Sequence, residues 1–206
     1  MSHPLLQPLM HSPELGKLVE ELGEIWRDEQ RRRHAFWAAA DEGVKAEFID
    51  GEILYHSPIY GRHWKASSNI TRHLLPYVYD RKLGEVAYEK AMIRCTRNDY
   101  EPDICFWRAE IAASFQPKQS AFTPPDFIVE ILSDSTAERD RGVKFTDYAL
   151  HGVQEYWIVD TQAATLEQYI LNTLHNKYEL KVKLEEGMVY AQAIEGFSMD
   201  VCFIFE

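Results

Sequence analysis

The stretch Pro125-Asp126-Phe127-Ile128-Val129-Glu130-Ile131-Leu132-Ser133 places one glutamate inside an otherwise apolar run. Phe127 to Leu132 is short, rich in β-branched residues and bounded by Pro125 and by Ser133-Asp134-Ser135. That pattern predicts a strand buried on at least one face. A carboxylate in such a strand must sit at an exposed end, be paired, keep its proton or bind a cation, because burying it bare costs several kcal/mol or more.

Working outward, a helix is expected from about Thr136 to Leu150, closed by His151-Gly152 with the glycine suited to the C-terminal cap. Glu155–Asp160 reads as another strand, and Asp160 at its end as a turn residue without chemistry. Upstream, "EVAYEKAMIRCT" (from Glu85) and "YEPDICFW" (from Tyr100) read as two strands joined at Arg97-Asn98-Asp99, and residues 109–125 as a loop with room for a short helix. Alternation in "AEFIDGEILYHSP" around Asp50-Gly51 predicts a β-hairpin, and the spacing of Trp64, Ile70, Leu74, Leu75 and Val78 predicts a helix over His63–Tyr79 despite Pro76. Leu15, Leu18, Val19, Leu22, Ile25, Trp26, Phe36 and Trp37 give one or two helices between Glu14 and Asp41, with Ser12 as N-cap and Pro13 at the first helical position. From Ala164 the tail is strand-like around "LEQYIL", "YELKVKL", "MVYAQAI" and "VCFIF". The order predicts a mixed α/β fold with a central sheet, divided into an N-terminal helical extension (1–45) and a main domain (46–206).

A chain of 206 residues, 46% of them hydrophobic, can bury a single-domain core. No apolar run approaches the roughly 18 residues of a membrane span, and the opening lacks the flanks of a signal peptide, so a cytoplasmic protein is expected. Cys95, Cys105 and Cys202 are scattered and odd in number, which argues for reduced core residues rather than disulfides or a zinc knuckle. The net charge of −11 argues against a large basic surface. Any nucleic-acid function would then need local basic patches or metal ions to offset phosphate repulsion. Arg31-Arg32-Arg33-His34, after Asp28-Glu29, reads as a solvated helix face, with phosphate contact as the alternative.

Two carboxylates stand out. Asp103 follows Pro102 at the start of "ICFW", and if its strand neighbours that of Glu130 the two converge. Two hard oxygen ligands completed by water and phosphate oxygens are what Mg²⁺ (or Mn²⁺) prefers. Lys144, on the following helix, could reach back to the pair and neutralise charge on a phosphate, or simply pair i,i+4 with Asp140.

These segments together, "FIDGEILYHSP", "YEPDICFW", "PPDFIVEILSDST" and "DRGVKFTDYALHGVQEYWIVD" with the β-rich tail, resemble the Uma-type family of restriction endonucleases within the PD-(D/E)XK phosphodiesterase superfamily. The resemblance covers about Ala46 to the C-terminus and implies a restriction-endonuclease-like core with Asp103 and Glu130 as metal ligands. The superfamily's usual lysine falls two residues after the glutamate, where this chain has Leu132; the family's displaced lysine implies Lys144 in "DRGVK". His63 and Glu52 are further candidates for the site from its opposite side, and Glu47 and Glu89 are strand carboxylates of the same ambiguity. The expected activity is Mg²⁺-dependent hydrolysis of nucleic acid, DNA before RNA, by a chain suited to a homodimer. The rival expectations are a catalytically silent interaction or oligomerisation module of the same fold and a metal enzyme acting on another phosphoester.

Overall fold

A computed structural model describes residues 3–39 and 44–206. A 3-10 turn (Pro4–Leu6) and a short helix, α1 (Gln7–Met10), precede the long helix α2 (Leu15–Ala39), and the strands β1 (Ala46–Ile49) and β2 (Glu52–Tyr55) follow. Then come α3 (Gly61–Arg81), β3 (Gly84–Tyr88), β4 (Met92–Arg94), β5 (Asp99–Tyr100), β6 (Ile104–Arg108), α4 (Ala109–Ala112) and β7 (Ala121–Phe122). The second half runs β8 (Phe127–Ile131), α5 (Ala137–Arg141), α6 (Val143–Leu150), β9 (Glu155–Asp160), β10 (Thr165–Asn172), β11 (Lys177–Leu184), β12 (Met188–Tyr190) and β13 (Ser198–Asp200), ending in a 3-10 turn (Val201–Ile204).

The fold is mixed α+β. A six-stranded sheet, ordered β11-β10-β9-β8-β6-β3, is antiparallel except where β8 and β9 run parallel. A second sheet, ordered β2-β1-β5-β4-β7, packs beside it. Alternation along β8 places the layers: Phe127, Val129 and Ile131 enter one core with Ile70, Leu74 and Val78 of α3 and the C-terminal segment. Ile128 points the other way, into a core shared with Tyr148 and Ala149 of α6 and with Ile49, Ile93 and Tyr100 of the second sheet. Each fully buried apolar side chain in these layers contributes about 1.5–3 kcal/mol. By the same parity, Glu130 faces α6 and the second sheet.

Several expectations are revised. The two strands expected from Glu85 and from Tyr100 each break, and their halves belong to different sheets. The first breaks at Glu89, which takes a left-handed φ of 72°; the second breaks at Pro102, which has no N–H to give the ladder. Both breaks fall beside Asp103, whose carbonyl accepts from Glu89 N–H at 3.0 Å. The expected helix over Thr136–Leu150 is two, α5 and α6, parted at Gly142. A Cβ at Gly142 would lie 2.7 Å from the Glu138 carbonyl oxygen, so the close turn there requires glycine. "VCFIF" is a 3-10 turn rather than a strand: Asp200 accepts from Cys202 N–H, and Val201 and Ile204 are buried three residues apart. Cys202 is exposed, not core. In the expected 109–125 loop lie α4 and β7.

The hairpin turn at Asp50-Gly51 has positive φ at both residues, 51° and 83°, the type I′ geometry its sequence predicts. Gly152 closes α6 at φ 79° as expected, and Asp160 accepts from Gln162 and Ala163 N–H in a turn. Helix α2 is a single helix, and Ser12 accepts from Glu14 N–H just ahead of it; its expected end at Asp41 lies outside the described residues. Its first half exposes Leu15, Val19, Leu22, Ile25 and Trp26, whereas Glu29, Arg33 and Phe36 are buried. Arg33 therefore is not on a solvated face: it binds Asp99 within the second sheet. Among the described residues, no helix is long and apolar enough to cross a membrane.

Candidate active site

The register of β6 and β8 pairs Ile104 with Val129, Cys105 with Ile128 and Phe106 with Phe127. One step further, Asp103 stands opposite Glu130, and residues directly opposite share a face. Both side chains line a cleft of about 550 Å³ together with Lys45, His56, Tyr60, His63 and Lys144.

Lys144, on the first turn of α6, is only 1% exposed and holds three carboxylates: Nζ lies 2.9 Å from Glu47 Oε1, 3.0 Å from Glu130 Oε1 and 3.2 Å from Asp140 Oδ1. The break at Gly142 lets this helix start afresh, with Asp140 and Lys144 still i,i+4 across it. Tyr148, one turn later, donates its hydroxyl to Glu130 Oε1 at 2.9 Å. Glu47 arrives from β1, its Oε1 accepting from Glu101 N–H at 3.0 Å. Its Oε2 lies 3.2 Å from His56 Nε2 without hydrogen-bonding alignment.

Asp103 forms an adjoining layer. Its Oδ1 is 2.9 Å from Lys45 Nζ; its Oδ2 is 3.2 Å from His63 Nε2 and accepts from Ile131 N–H at 2.9 Å. Lys45, whose side chain is 18% exposed, is the more accessible of the two lysines. Glu89, half-buried at the strand break, lines the same cleft.

Charge in this cluster does not balance. Among the described residues, Glu47, Asp103, Glu130 and Asp140 pair with two lysines, Lys45 and Lys144, so two negative charges are in excess before any proton or imidazolium is counted. Burial pushes the Glu130 carboxyl up, Lys144 pulls it down, and repulsion from Asp140, Asp103 and Glu47 leaves it at about 8. Burial also pushes Asp140 up, and the charge of Lys144 only partly offsets it. For Glu47 burial is overcome by the charge of Lys144 and by His56, which hold it down at about 2. For Asp103 burial is likewise overcome, by Lys45 and His63, and its carboxyl lies well below the usual range. Burial lowers His63, but its hydrogen bond and ion pair with Asp103 raise it further, so it titrates above an ordinary histidine. Lys144 is held charged by Glu130, Glu47 and Asp140 against burial.

Of the candidates read from sequence, Asp103, Glu130, Lys144 and His63 come together. Glu52 does not. It pairs with Ile49 at the turn end of the β1–β2 hairpin, one pair of strand residues, roughly 7 Å, beyond Leu54, the partner of Glu47, and it is exposed. Glu47, Asp140, Tyr148 and Lys45 complete the cluster. The alternation around Glu47 marks it as a strand carboxylate, but nothing local to it says that β1 crosses over the end of α6.

A second group, Cys95, Asp147 and His151, has potential ligand atoms within 4.8 Å of one another and shares no residue with the cleft. Its polar atoms are already engaged: Asp147 accepts from Tyr100 and Asn98, and His151 Nε2 accepts from Thr96 N–H. Burial and the charges of Asp147 and Asp99 push the Cys95 thiol far up, which disfavours the thiolate a metal needs.

The sequence model of the Uma2 family, described as "Putative restriction endonuclease", matches residues 29–202. An uncharacterised protein of Synechocystis sp., sll1609, is 30% identical over 140 residues, spanning 61% of this chain and 71% of that protein. The crystal structure of a putative nuclease belonging to DUF820 from Anabaena variabilis superposes with a TM-score of 0.70 over 82% of this chain and 94% of that one, at 17% identity. At that identity the likeness is one of fold.

Proposed function

The chain belongs to the Uma2 family, and on that premise we propose that it is a metal-dependent endonuclease hydrolysing phosphodiester bonds of nucleic acid, DNA before RNA. The observation that carries this reading is that Asp103, just ahead of β6, and Glu130 of the neighbouring strand β8 line one cleft with more carboxylates than lysines. That donor set fits a hard divalent cation: the oxygens are carboxylate, the charge excess matches Mg²⁺ or Mn²⁺, and both hydrogen bonds to Glu130 fall on Oε1, leaving Oε2 for a ligand role. Asp103 and Glu130 would hold the ion, which when bound polarises a phosphate oxygen and acidifies a water.

The protein's own groups divide the remaining work. Lys144 and Tyr148 fix Glu130 Oε1, and His63 with Ile131 N–H fixes Asp103 Oδ2, so the two carboxylates are set before substrate arrives. Lys144, enclosed by three carboxylates, is a positioning residue. Lys45, at the cleft wall with part of its side chain in solvent, is the ammonium that can leave Asp103 and meet a phosphate oxygen. The same reading includes a homodimer joined through the exposed apolar side of α2, with residues 1–45 as an extension on a nuclease-like unit of residues 46–206.

One observation favours the silent-module reading: Lys144 and Tyr148 partner Glu130 without a metal. Incubation with single- and double-stranded DNA and RNA, in Mg²⁺, Mn²⁺ or chelator, decides between them, alongside thermal scans. A divalent ion at 100 times its dissociation constant is expected to add about 2.7 kcal/mol of stability to the wild type and little to Glu130→Gln. Absence of both cleavage and a thermal shift would leave the silent module standing.

A further inference from the structure

Between Glu52 and Asp80 the chain contains no acidic residue, although its 33 aspartates and glutamates outnumber its 22 lysines and arginines. This stretch runs from β2 along the lip of the cleft and through most of α3. Arg62, Lys65 and Arg72 are exposed along it. Two large rings accompany them: Tyr60 is 65% and Trp64 58% exposed. They lie one helical turn apart, with Trp64 N–H donating to the Tyr60 carbonyl at 3.1 Å, and the Arg62 guanidinium carbon is 5.4 Å from the centre of the Tyr60 ring. The same turn holds His63 inward on Asp103. One turn of helix thus touches the candidate catalytic carboxylate on its inner side and presents bare aromatic and basic surface on its outer side.

We propose that the cleft takes an unpaired nucleic-acid strand, with Tyr60 and Trp64 stacking bases next to the reacting phosphate and Arg62 and Lys65 meeting its backbone. The inference rests on the nuclease reading of this cleft. An exposed ring is satisfied by the open face of an unpaired base, whereas bases within a duplex are already stacked on their neighbours. Asp103, Glu130 and Lys144 are each at most 5% exposed, below the lip, where a flexible strand can lower a phosphate and a stiff duplex cannot. Stacking also operates on a protein of net charge −11, on which phosphate attraction alone is weak.

The test measures binding of a labelled DNA of about 12 nucleotides, single-stranded and as duplex, by fluorescence anisotropy in chelator, at a length within the range one such groove tracks. Wild type, Tyr60→Ala, Tyr60→Phe and Trp64→Ala are compared, and their masses in solution are checked by light scattering. The strand is expected to bind at least about tenfold more tightly than the duplex, each alanine variant to lose about tenfold on the strand only, and Tyr60→Phe to keep its affinity. Equal affinity for strand and duplex, no binding to the strand, or alanine variants that bind like the wild type overturns the proposal. So does a change of oligomeric state without loss of strand binding, which makes the rings a self-association surface. Cleavage in Mg²⁺ is scored separately. Cutting of duplex but not of strand overturns this inference and keeps the nuclease reading; ring-dependent strand binding without any cutting keeps the inference and removes that reading.

Discussion

Two buried ionic clusters in this protein are built in opposite ways. In the first, Arg33 of α2 meets Asp99 of β5 through Nε at 2.7 Å and Nη2 at 2.8 Å, and its remaining donors go to the carbonyls of Thr96, Cys95 and Asn98. Trp37 adds a bond to Asp99 at 2.9 Å. One cation faces one anion, and neither residue has a buried polar atom left without a partner. In the second, Lys144 serves three carboxylates, and buried Glu47 Oε2 and Asp140 Oδ1 lack hydrogen bonds. The first cluster is closed and fastens a helix to a sheet. The second is left short of positive charge beside a cleft, the condition expected where chemistry shapes the residues rather than stability.

The largest expected effect separates the two by activity. Asp103→Asn and Glu130→Gln should each lower metal-dependent cleavage by about 10²–10³-fold or more while circular dichroism shows the fold retained. Cleavage that survives either change breaks the comparison at its functional end.

Arg33→Met tests the structural end. It leaves Asp99 buried without its cation, and urea unfolding should show a loss of about 3–5 kcal/mol, with turnover per folded molecule unchanged. A loss of turnover at full folding would make this cluster more than a fastener.

The pH dependence sharpens the contrast further. Glu130 titrates at about 8 in the folded protein against an ordinary value of 4.5, so the native state holds its proton more tightly than the unfolded chain does. The stability from that proton is complete below about pH 4.5, falls as pH rises, and is gone above about 8. Thermal scans in chelator between pH 5 and 8 should show this decline, at most about 1.4 kcal/mol per pH unit. Glu130→Gln should flatten it.

The smallest effect is expected at Glu52. Glu52→Ala should change stability by no more than about 0.5 kcal/mol and leave cleavage as it was, since this side chain is exposed at the turn end of the hairpin.

What the sequence discloses of this arrangement follows from how local each cause is. The β8 strand is legible because its apolar run and flanking breakers are contiguous, and Asp103 because proline precedes it at a strand start. Gly152 and the Asp50-Gly51 turn are legible because backbone geometry selects the residue. The division of two strands between two sheets is not: Glu89 and Pro102 are visible as irregularities, but which sheet receives each half depends on partners far along the chain. Glu47 and Asp140 are hidden for the same reason, since a strand carboxylate and an i,i+4 helix partner look ordinary until burial removes water from both. Arg33 misleads because three consecutive arginines look like a solvated face, and only the placement of Asp99 decides that one of them turns inward.

The contacts around Lys144 also set an order of events during synthesis. Glu47 and Glu130 leave the ribosome before Lys144 does, so a nascent chain ending short of α6 owns these two anions without the cation that lets them be buried. The pairing of β6 with β8 around Glu130 must therefore wait for α6, or proceed with Glu130 protonated. A centre assembled from such distant segments has high contact order, and its closure is expected among the late steps of folding.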